Sequence, residues 1–194
     1  MATRLPAPRR RRQLLDVATD VFGEAGYHEA SMDTVAEAAG VTKPVLYQHF
    51  GSKRELYLEL LDDVGTRLMG AVVAATSAAE DPHQQVEAGF RAYFGFVFGH
   101  ANAFRLLFGG SRQPDEEFAA VAERVEEAMA EIIAGLIDVG LETEHRRLLG
   151  HAVVGLAEGT SRHWVRQGLA PDPGRLARWV ADAAWSGLRG LRPD

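Results

Sequence analysis

The sequence predicts an all-α fold of about nine helices, and three observations support this prediction. Apolar residues recur at the three- and four-residue spacing of amphipathic helices, while the alternation typical of strands is weak. Glycines and Asp-Pro pairs interrupt these segments where helices would end and start. Residues 31–53 hold two short helical patterns around a three-residue turn, the arrangement of a helix-turn-helix. We therefore expect a three-helix helix-turn-helix domain over residues 1–55 and a larger helical domain over residues 56–194.

The first helix is predicted from Arg10 to Ala25, where Gly26 ends it. Positive charge at a helix start opposes the helix dipole, so the basic residues found there are expected to contact phosphates or a minor groove. These residues are Arg9, Arg10, Arg11 and Arg12. A solvated, disordered tail is the alternative, and both descriptions hold if the segment orders only on nucleic acid.

The second and third helices form the helix-turn-helix. Ser31 is a good N-cap for the second helix, and Gly40 suits the left-handed conformation that ends it. Thr42 can cap the third helix, which we predict to be about eight residues, or roughly 12 Å, long. Leu46 and Phe50 are four residues apart and form its buried side.

The outer face of the third helix carries groups that suit a major groove roughly 12 Å wide. Gln48 can donate and accept at adenine, Lys43 can reach guanine or a phosphate, and Val45 can meet a thymine methyl. The rest of the predicted DNA-binding set suits phosphate contacts, which position a protein without reading the base sequence. These residues are Ser31, Thr42, Tyr47, His49 and Lys53. The alternative is an ordinary helical hairpin with a solvated face.

The segment VTKPVLYQHFGSKRELY, together with the helix before it, resembles the N-terminal DNA-binding domain of the TetR (tetracycline-repressor-like) family. The match covers about residues 9–60. It includes the glycine turn, the Lys-Pro opening, the Leu-Tyr-x-His-Phe core of the recognition (third) helix and the lysine that starts the fourth helix. The resemblance implies DNA binding and argues against a simple hairpin.

Composition limits the other classes of protein. The 194 residues suffice for one domain, or one small and one medium domain, with a real core. The chain has no cysteine, which excludes disulfides and thiolate metal sites. Its start lacks the apolar run of a signal peptide, and no stretch approaches ~18 uncharged apolar residues. We therefore expect a cytoplasmic protein that does not enter a membrane.

The net charge of −6 is unevenly distributed. Residues 1–53 carry seven basic and six acidic side chains, whereas residues 54–194 carry fourteen and twenty-one. An acidic surface disfavours non-specific nucleic-acid binding, so nucleic acid is expected to meet only the N-terminal part.

The remaining helices follow from caps and periodicity. The fourth helix is predicted from a capping box at Ser52 and Glu55 to Ala79, and it connects the two domains. Asp81-Pro82 opens the fifth helix, and Asp172-Pro173 opens the ninth, which is predicted to reach residue 191. Between them we expect a short sixth helix, a loop over residues 109–114, a seventh helix over about 115–139 and an eighth over about 143–167.

Six of the nine phenylalanines fall between residues 90 and 108. A packed aromatic core is the simplest interpretation. Members of the family that the chain resembles usually carry a ligand cavity in this domain, and such pockets are mostly apolar. We expect a cavity for a mostly hydrophobic small molecule, with no cofactor and no metal, because the histidines lack the spacing of metal ligands. The candidate lining residues are Met69, Phe90, Tyr93, Phe94, Phe98, Phe104, Phe108 and Trp164.

The last two predicted helices are more apolar than a helix with one covered face requires. They also contain glycines, each of which costs ~1 kcal/mol inside a helix, and close approach to a second chain would offset that cost. In the family that the chain resembles, these helices pair with their symmetry mates in a four-helix bundle; packing within one chain is the alternative. The predicted homodimer interface comprises Leu148, Ala152, Gly155, Leu156, Gly159, Trp179, Val180, Ala183 and Gly187.

These features together predict a homodimeric transcriptional regulator, acting as a repressor, that binds a palindromic double-stranded DNA operator and is released by a small molecule. A constitutive or architectural DNA-binding protein without a ligand switch is the alternative. An enzyme is a remote alternative, because the sequence contains no phosphate loop, nucleophile elbow, metal cluster or spaced carboxylate pair.

Overall fold

The computed structural model describes residues 6–108, 115–137 and 140–190. These residues form nine α-helices and no strand, which confirms the predicted fold class. The helices are α1 (Ala7–Glu29), α2 (Met32–Ala38), α3 (Lys43–Tyr47), α4 (Lys53–Ser77), α5 (Pro82–Gly99), α6 (Ala101–Phe108), α7 (Glu116–Leu136), α8 (Thr143–Arg166) and α9 (Pro173–Leu188). The predicted loop over residues 109–114 and the predicted helix ends at residues 139 and 191 lie outside the described residues.

Helices α1 to α3 pack around a small shared core. Its central side chains are almost completely buried: Leu14, Phe22, Val35, Leu46 and Phe50. The first helix starts at Ala7 rather than at the predicted Arg10, because a proline is tolerated in a first turn, where no intrahelical N–H is needed. Gly26 has a φ of 79° and interrupts the helix, as predicted, before a last turn that ends at Glu29.

Helix α4 connects these helices to the rest of the molecule. At its start the Ser52 hydroxyl accepts a hydrogen bond from the Glu55 N–H at 3.0 Å, which confirms the predicted cap. The Glu55 carboxylate accepts from the Gly51 N–H at 3.0 Å, one residue before the position that a capping box predicts. Helix α4 then packs against α5 and α7, while α6 packs against α1.

The C-terminal helices form two packed pairs, α5 with α9 and α7 with α8. Asp81 accepts from the Gln84 N–H at 2.8 Å and Asp172 from the Arg175 N–H at 3.0 Å, which confirms the predicted starts of α5 and α9.

Helices α7 and α8 are antiparallel and very close. Arg147 pairs with Glu131 at 2.6 Å, and one turn further along α8 His151 pairs with Glu127 at 3.1 Å. Between these pairs Gly150 lies against the backbone of α7, where a methyl group in place of its hydrogen would lie 2.3 Å from the Ala130 carbonyl oxygen. The close approach requires glycine at this position.

Candidate nucleic-acid interface and ligand cavity

Helices α2 and α3 form the predicted helix-turn-helix. The Ser31 hydroxyl accepts from the Thr34 N–H at 3.0 Å and caps α2, and Gly40 takes the left-handed conformation with a φ of 64°. Both features confirm the local interpretation of the sequence. The regular part of α3 is shorter than predicted, because it covers only Lys43–Tyr47.

The backbone beyond α3 continues as one further turn. The Phe50 N–H donates to the Leu46 carbonyl at 3.1 Å, and both side chains are fully buried. The predicted contact residues of this segment are exposed or half-buried: Thr42, Lys43, Val45, Tyr47, Gln48 and His49. The buried pair therefore anchors the segment, and the polar side faces solvent.

Two of the predicted lysine contacts have partners within the protein. The Lys43 ammonium lies 2.8 Å from the Asp33 carboxylate, and this hydrogen bond raises the pKa of Lys43. The Lys53 ammonium donates to the His28 carbonyl at 3.1 Å and lies 4.6 Å from the centre of the Tyr27 ring. Exposed contacts of this kind are weak, so both lysines can exchange these partners for phosphates.

The predicted basic residues at positions 9–12 lie in the first two turns of α1, so the described part of this segment is helical rather than a disordered tail. Arg9 is exposed and makes no hydrogen bond or ion pair with the described residues, while Arg10 donates to Gln13 at 2.6 Å. These two side chains face no competing carboxylate among the described residues.

Arg11 and Arg12 instead bind acidic side chains of α4. Arg11 pairs with Glu59 and lies 4.5 Å from the centre of the Phe50 ring, and Arg12 pairs with Asp63. The hydrogen bond to Asp63 raises the pKa of the Arg12 guanidinium. These partners are about fifty residues away in sequence. The one feature of the sequence that could have indicated them is that the two acids are four residues apart and so share one face of α4. In the free protein these arginines hold α1 against α4.

A second set of contacts that sequence reasoning missed connects the start of α4 with α7. Arg54 pairs with Asp115 and Glu117 and lies 5.1 Å from the centre of the Phe118 ring. The hydrogen bond from Arg54 lowers the pKa of Asp115. Phe118 packs edge to face with Tyr27 of α1, at 4.8 Å between ring centres. The first turn of α7 is thus joined to the DNA-facing helices.

A cavity of about 260 Å³ lies between α4, α5, α7, α8 and α9. Its wall is mostly apolar. Each of the five helices contributes side chains to this wall, among them Leu68, Val72, Phe90, Met129, Val153 and Trp185. The polar residues of the wall are Thr76, Gln85, Tyr93, Glu126, Glu158 and Arg189. Burial raises the pKa of the Tyr93 hydroxyl, and the Thr76 hydroxyl donates to the Val72 carbonyl at 3.0 Å. This composition suits a mostly apolar ligand with one or two polar groups.

Three of the eight predicted lining residues lie on the cavity wall: Phe90, Tyr93 and Phe108. The other five lie outside it. Phe94, Phe104 and Trp164 are buried in the packed core, Met69 packs partly buried beside it, and Phe98 is 51% exposed. The aromatic residues of α5 surround the whole helix, so only those on one side reach the cavity. Much of the wall is aliphatic, and sequence alone does not distinguish such residues from core.

Helices α8 and α9 present apolar side chains on the outer surface. Leu148, Leu156 and Trp179 are 61%, 37% and 51% exposed. Five other predicted interface residues are small and also exposed: Ala152, Gly155, Gly159, Ala183 and Gly187. The remaining predicted interface residue, Val180, is buried. On each helix the exposed members recur at three- and four-residue spacing and so share one face. Exposed apolar patches are a common feature of interaction sites.

Two further findings concern other classes of site. Among the described residues, no three His, Asp or Glu side chains lie close enough together to hold a metal ion. None of the helices in the described ranges combines the length and the apolar character needed to cross a bilayer.

The fold and the helix-turn-helix define a DNA-binding regulator of transcription. The family profile described as "Bacterial regulatory proteins, tetR family" matches residues 14–60, and the profile described as "Tetracyclin repressor-like, C-terminal domain" matches residues 82–187. The chain belongs to the TetR family of transcriptional regulators.

Known proteins with sequence or structural similarity agree with this assignment. The chain is 36% identical to the HTH-type transcriptional activator FasR of Mycolicibacterium smegmatis, over 95% of this chain and 85% of the relative. A TetR-like regulator from Rhodococcus sp. RHA1 shares its fold with a TM-score of 0.78 and 30% identity, over 97% of this chain and 100% of that one. The regulator FadR from Bacillus subtilis, solved with stearoyl-CoA, has a TM-score of 0.79 at 20% identity, over 91% and 98%.

Proposed function

We propose that the protein is a ligand-responsive repressor that binds a palindromic operator as a homodimer and is released by a mostly hydrophobic small molecule. One observation carries the proposal. Helix α4 begins beside the recognition helix at Lys53 and, about four turns later, contributes Leu68, Val72 and Thr76 to the cavity wall. A ligand that displaces α4 therefore displaces the DNA-contacting helices as well.

The switch needs a ligand with different affinities for two positions of α4. A coupling free energy of ~1–3 kcal/mol would change operator affinity about 5–150-fold. The contacts of Arg54 with α7 provide a second connection, because α7 forms another side of the cavity.

The homodimer proposal is supported by the exposed apolar faces of α8 and α9. A two-fold axis through these faces would present two recognition helices to major-groove segments ~34 Å apart, or a multiple of that distance. A palindromic operator follows from this symmetry.

We propose a division into a DNA-binding part over residues 1–55 and a ligand-binding and dimerisation part over residues 56–194. In this scheme Gln48, Lys43 and Val45 read bases, and the other predicted contacts hold phosphates. Repression follows if a dimer bound at a promoter blocks polymerase. Operator DNA places such a protein in the cytoplasm.

The apolar wall supports a mostly hydrophobic effector. The structure of Bacillus subtilis FadR in complex with stearoyl-CoA illustrates that a protein of this fold can hold a ligand with a long apolar chain. A sequence identity of 20% indicates a shared fold but not a shared ligand. We therefore infer the chemistry of the effector from the cavity of this chain.

Selection of bound sequences from random DNA, followed by release assays with a panel of apolar metabolites, tests the proposal. We expect a palindromic consensus and a subset of compounds that release it. Tight binding to a palindrome that no cavity-binding compound weakens would instead support a constitutive DNA-binding protein.

Activation of transcription is a second candidate, because the 36% identical relative FasR is named a transcriptional activator. Transcription in vitro from a promoter carrying the selected operator separates the two. Repression predicts less transcript when the protein is added, and activation predicts more.

Replacing the predicted base reader Gln48 with alanine should change the base preference at one position in each half-site. A bidentate contact to adenine is worth ~1–3 kcal/mol of discrimination, and Gln48 is exposed on the outer side of the recognition segment. Selection from a randomised library measures the change. Gln167→Ala is the control, since Gln167 is exposed at the end of α8. An unchanged preference in the Gln48 variant would remove this residue from the base readers.

Replacing Lys53 with glutamine should weaken all DNA sequences alike and flatten the salt dependence. The plot of log K against log salt has a negative slope, and each phosphate contact that is lost makes this slope less steep by about 0.9. Fluorescence anisotropy with operator and scrambled duplexes over a range of salt concentrations measures both effects. A loss confined to the operator, with an unchanged slope, would contradict the phosphate assignment.

A further inference from the structure

The charged residues of the cavity wall are distributed unequally along the cavity. Helix α7 starts at the DNA-binding side, where Arg54 holds its first turn, and α8 returns antiparallel to it. Glu126 of α7 and Glu158 of α8 are the wall residues nearest to that side on their helices. Arg189 lies at the opposite end, at the exposed C-terminus of α9. The cavity thus has an acidic inner end and a basic outer end.

Part of the acidic end is already neutralised within the protein. Glu158 is only 8% exposed and pairs with Arg162 one turn away. Next to it, Ser161 is completely buried, and its hydroxyl has no hydrogen bond of normal geometry within the described part of the chain. It neighbours the hydroxyl of the wall residue Tyr93. Beside the acidic end, the protein thus holds a fully buried hydroxyl group next to Tyr93.

Glu126 is the uncompensated charge of this end. Its carboxylate makes no hydrogen bond or ion pair with the residues described, and Glu126 lies on the wall of a mostly apolar cavity. Burial raises the pKa of Glu126, and the nearby charge of Glu123 raises it further, while Arg162 and His151 oppose that effect only in part. A partly buried carboxylate without a partner is unfavourable, and a cation bound beside it would remove that cost.

We infer that the effector carries a protonated amine, which binds Glu126 at the inner end of the cavity while its apolar part fills the remaining space. The inference rests on the proposed ligand switch and specifies its chemistry. A carboxylate at this position would meet the unpaired negative charge of Glu126, and the second acid of this end, Glu158, is already paired with Arg162. A hydroxyl would leave the negative charge of Glu126 uncompensated. An ammonium group avoids the repulsion and also compensates the charge of Glu126.

Three probes with the same ten-carbon chain test this inference: decylamine, decanol and decanoate, each below its micellar concentration. Isothermal titration calorimetry gives the dissociation constants, and anisotropy of a labelled operator gives the release. A hydrogen bond to a charged group contributes ~1.5–3 kcal/mol, so decylamine should bind about 10- to 100-fold more tightly than decanol. Decanoate should bind most weakly.

The variant Glu126→Gln should lower the affinity for decylamine by the same factor and leave that for decanol unchanged. Glu131→Gln is the matched control, because Glu131 lies on the same helix but pairs with Arg147 outside the cavity. It should bind all three probes like the natural protein, which also corrects for non-specific attraction of a cation to an acidic chain. Measured melting temperatures would establish whether both variants fold.

Equal or tighter binding of decanoate than of decylamine would overturn the inference. An unchanged decylamine affinity in Glu126→Gln would do the same. If decanol or decanoate still released the operator in those cases, the proposed ligand switch would stand. If none of the three probes bound, the inference would fall together with the switch as proposed.

Discussion

Gly155→Glu should convert the proposed dimer into a monomer and lower the affinity for a palindromic operator about 10²–10⁴-fold. Two linked half-site contacts exceed a single one by that factor when both can engage at once. Gly155 is exposed on α8, on the same face as Leu148 and Leu156. In a two-fold interface the new carboxylate would lie next to apolar surface and near its own symmetry mate, where it would be desolvated without a partner.

The substitution should leave the single chain intact. Apart from the adjacent residues and backbone of α8 itself, no atom of the described residues lies within 4 Å of the position that a Cβ of residue 155 would occupy. Glutamate is also a better helix former than glycine by roughly 0.5–1 kcal/mol. Sedimentation velocity measures the mass, and anisotropy with one-site and two-site duplexes measures DNA binding. The half-site affinity of the monomer should be retained.

Gly95→Glu on α5 is the matched control. Gly95 is exposed and lies inside a helix, and a Cβ at this position would, as for Gly155, meet no atom of the described residues outside its own helix within 4 Å. An open glycine therefore does not by itself indicate an interface. The proposed interface rests on the exposed leucines and tryptophan of α8 and α9. A Gly155→Glu protein that still sedimented as a dimer would move the interface to another surface.

Gly150→Ala should destabilise the fold by about 1–3 kcal/mol, the usual range for overpacking. The added methyl group would lie 2.3 Å from the Ala130 carbonyl oxygen, and backbone atoms cannot rotate away. Helices α7 and α8 must then separate, which also changes the cavity between them. At about 2–4 °C per kcal/mol for a chain of this size, the melting temperature should fall by roughly 2–12 °C.

Gly95→Ala provides a comparison in which the expected change in stability has the opposite sign. The same chemical change at an open helical position should raise stability by roughly 0.5–1 kcal/mol, because it only improves helix propensity. Both variants must be melted at one protomer concentration, since dimerisation makes the melting temperature depend on concentration. An increase in stability for Gly150→Ala would show that α7 and α8 can separate at this point without loss of packing.

The starts of four helices could be predicted well because they depend on neighbouring residues. Two predictions of this kind were wrong: α1 starts at Ala7 rather than at Arg10, and the Thr42 side chain makes no capping hydrogen bond at the start of α3. Ser31, Ser52, Asp81 and Asp172 each accept a backbone hydrogen bond from the residue three positions ahead, and all four were predicted as caps. The predicted length of α3 was wrong, because the regular helix covers only Lys43–Tyr47. Leu46 and Phe50 keep the same spacing in a regular helix and in a helix followed by a turn, so periodicity does not determine where a helix ends.

The candidate sites depended on contacts between distant residues and were predicted less completely. Glu126 reads in the sequence as one acid among many on α7, because nothing local shows that it faces a cavity. Arg12 reads as a free cation, although Asp63 of α4 binds it. In both cases the missing information is the relative rotation of two helices.

The sequence by itself determined the all-helical fold, the helix-turn-helix with its caps and the family, because capping and amphipathic periodicity act over a few residues. The tertiary structure decided which apolar side chains line a cavity, which arginines α4 already holds and which apolar faces of α8 and α9 are left exposed. Those outcomes depend on how ridges of side chains on helices far apart in sequence pack against each other, and a helical periodicity does not specify that packing.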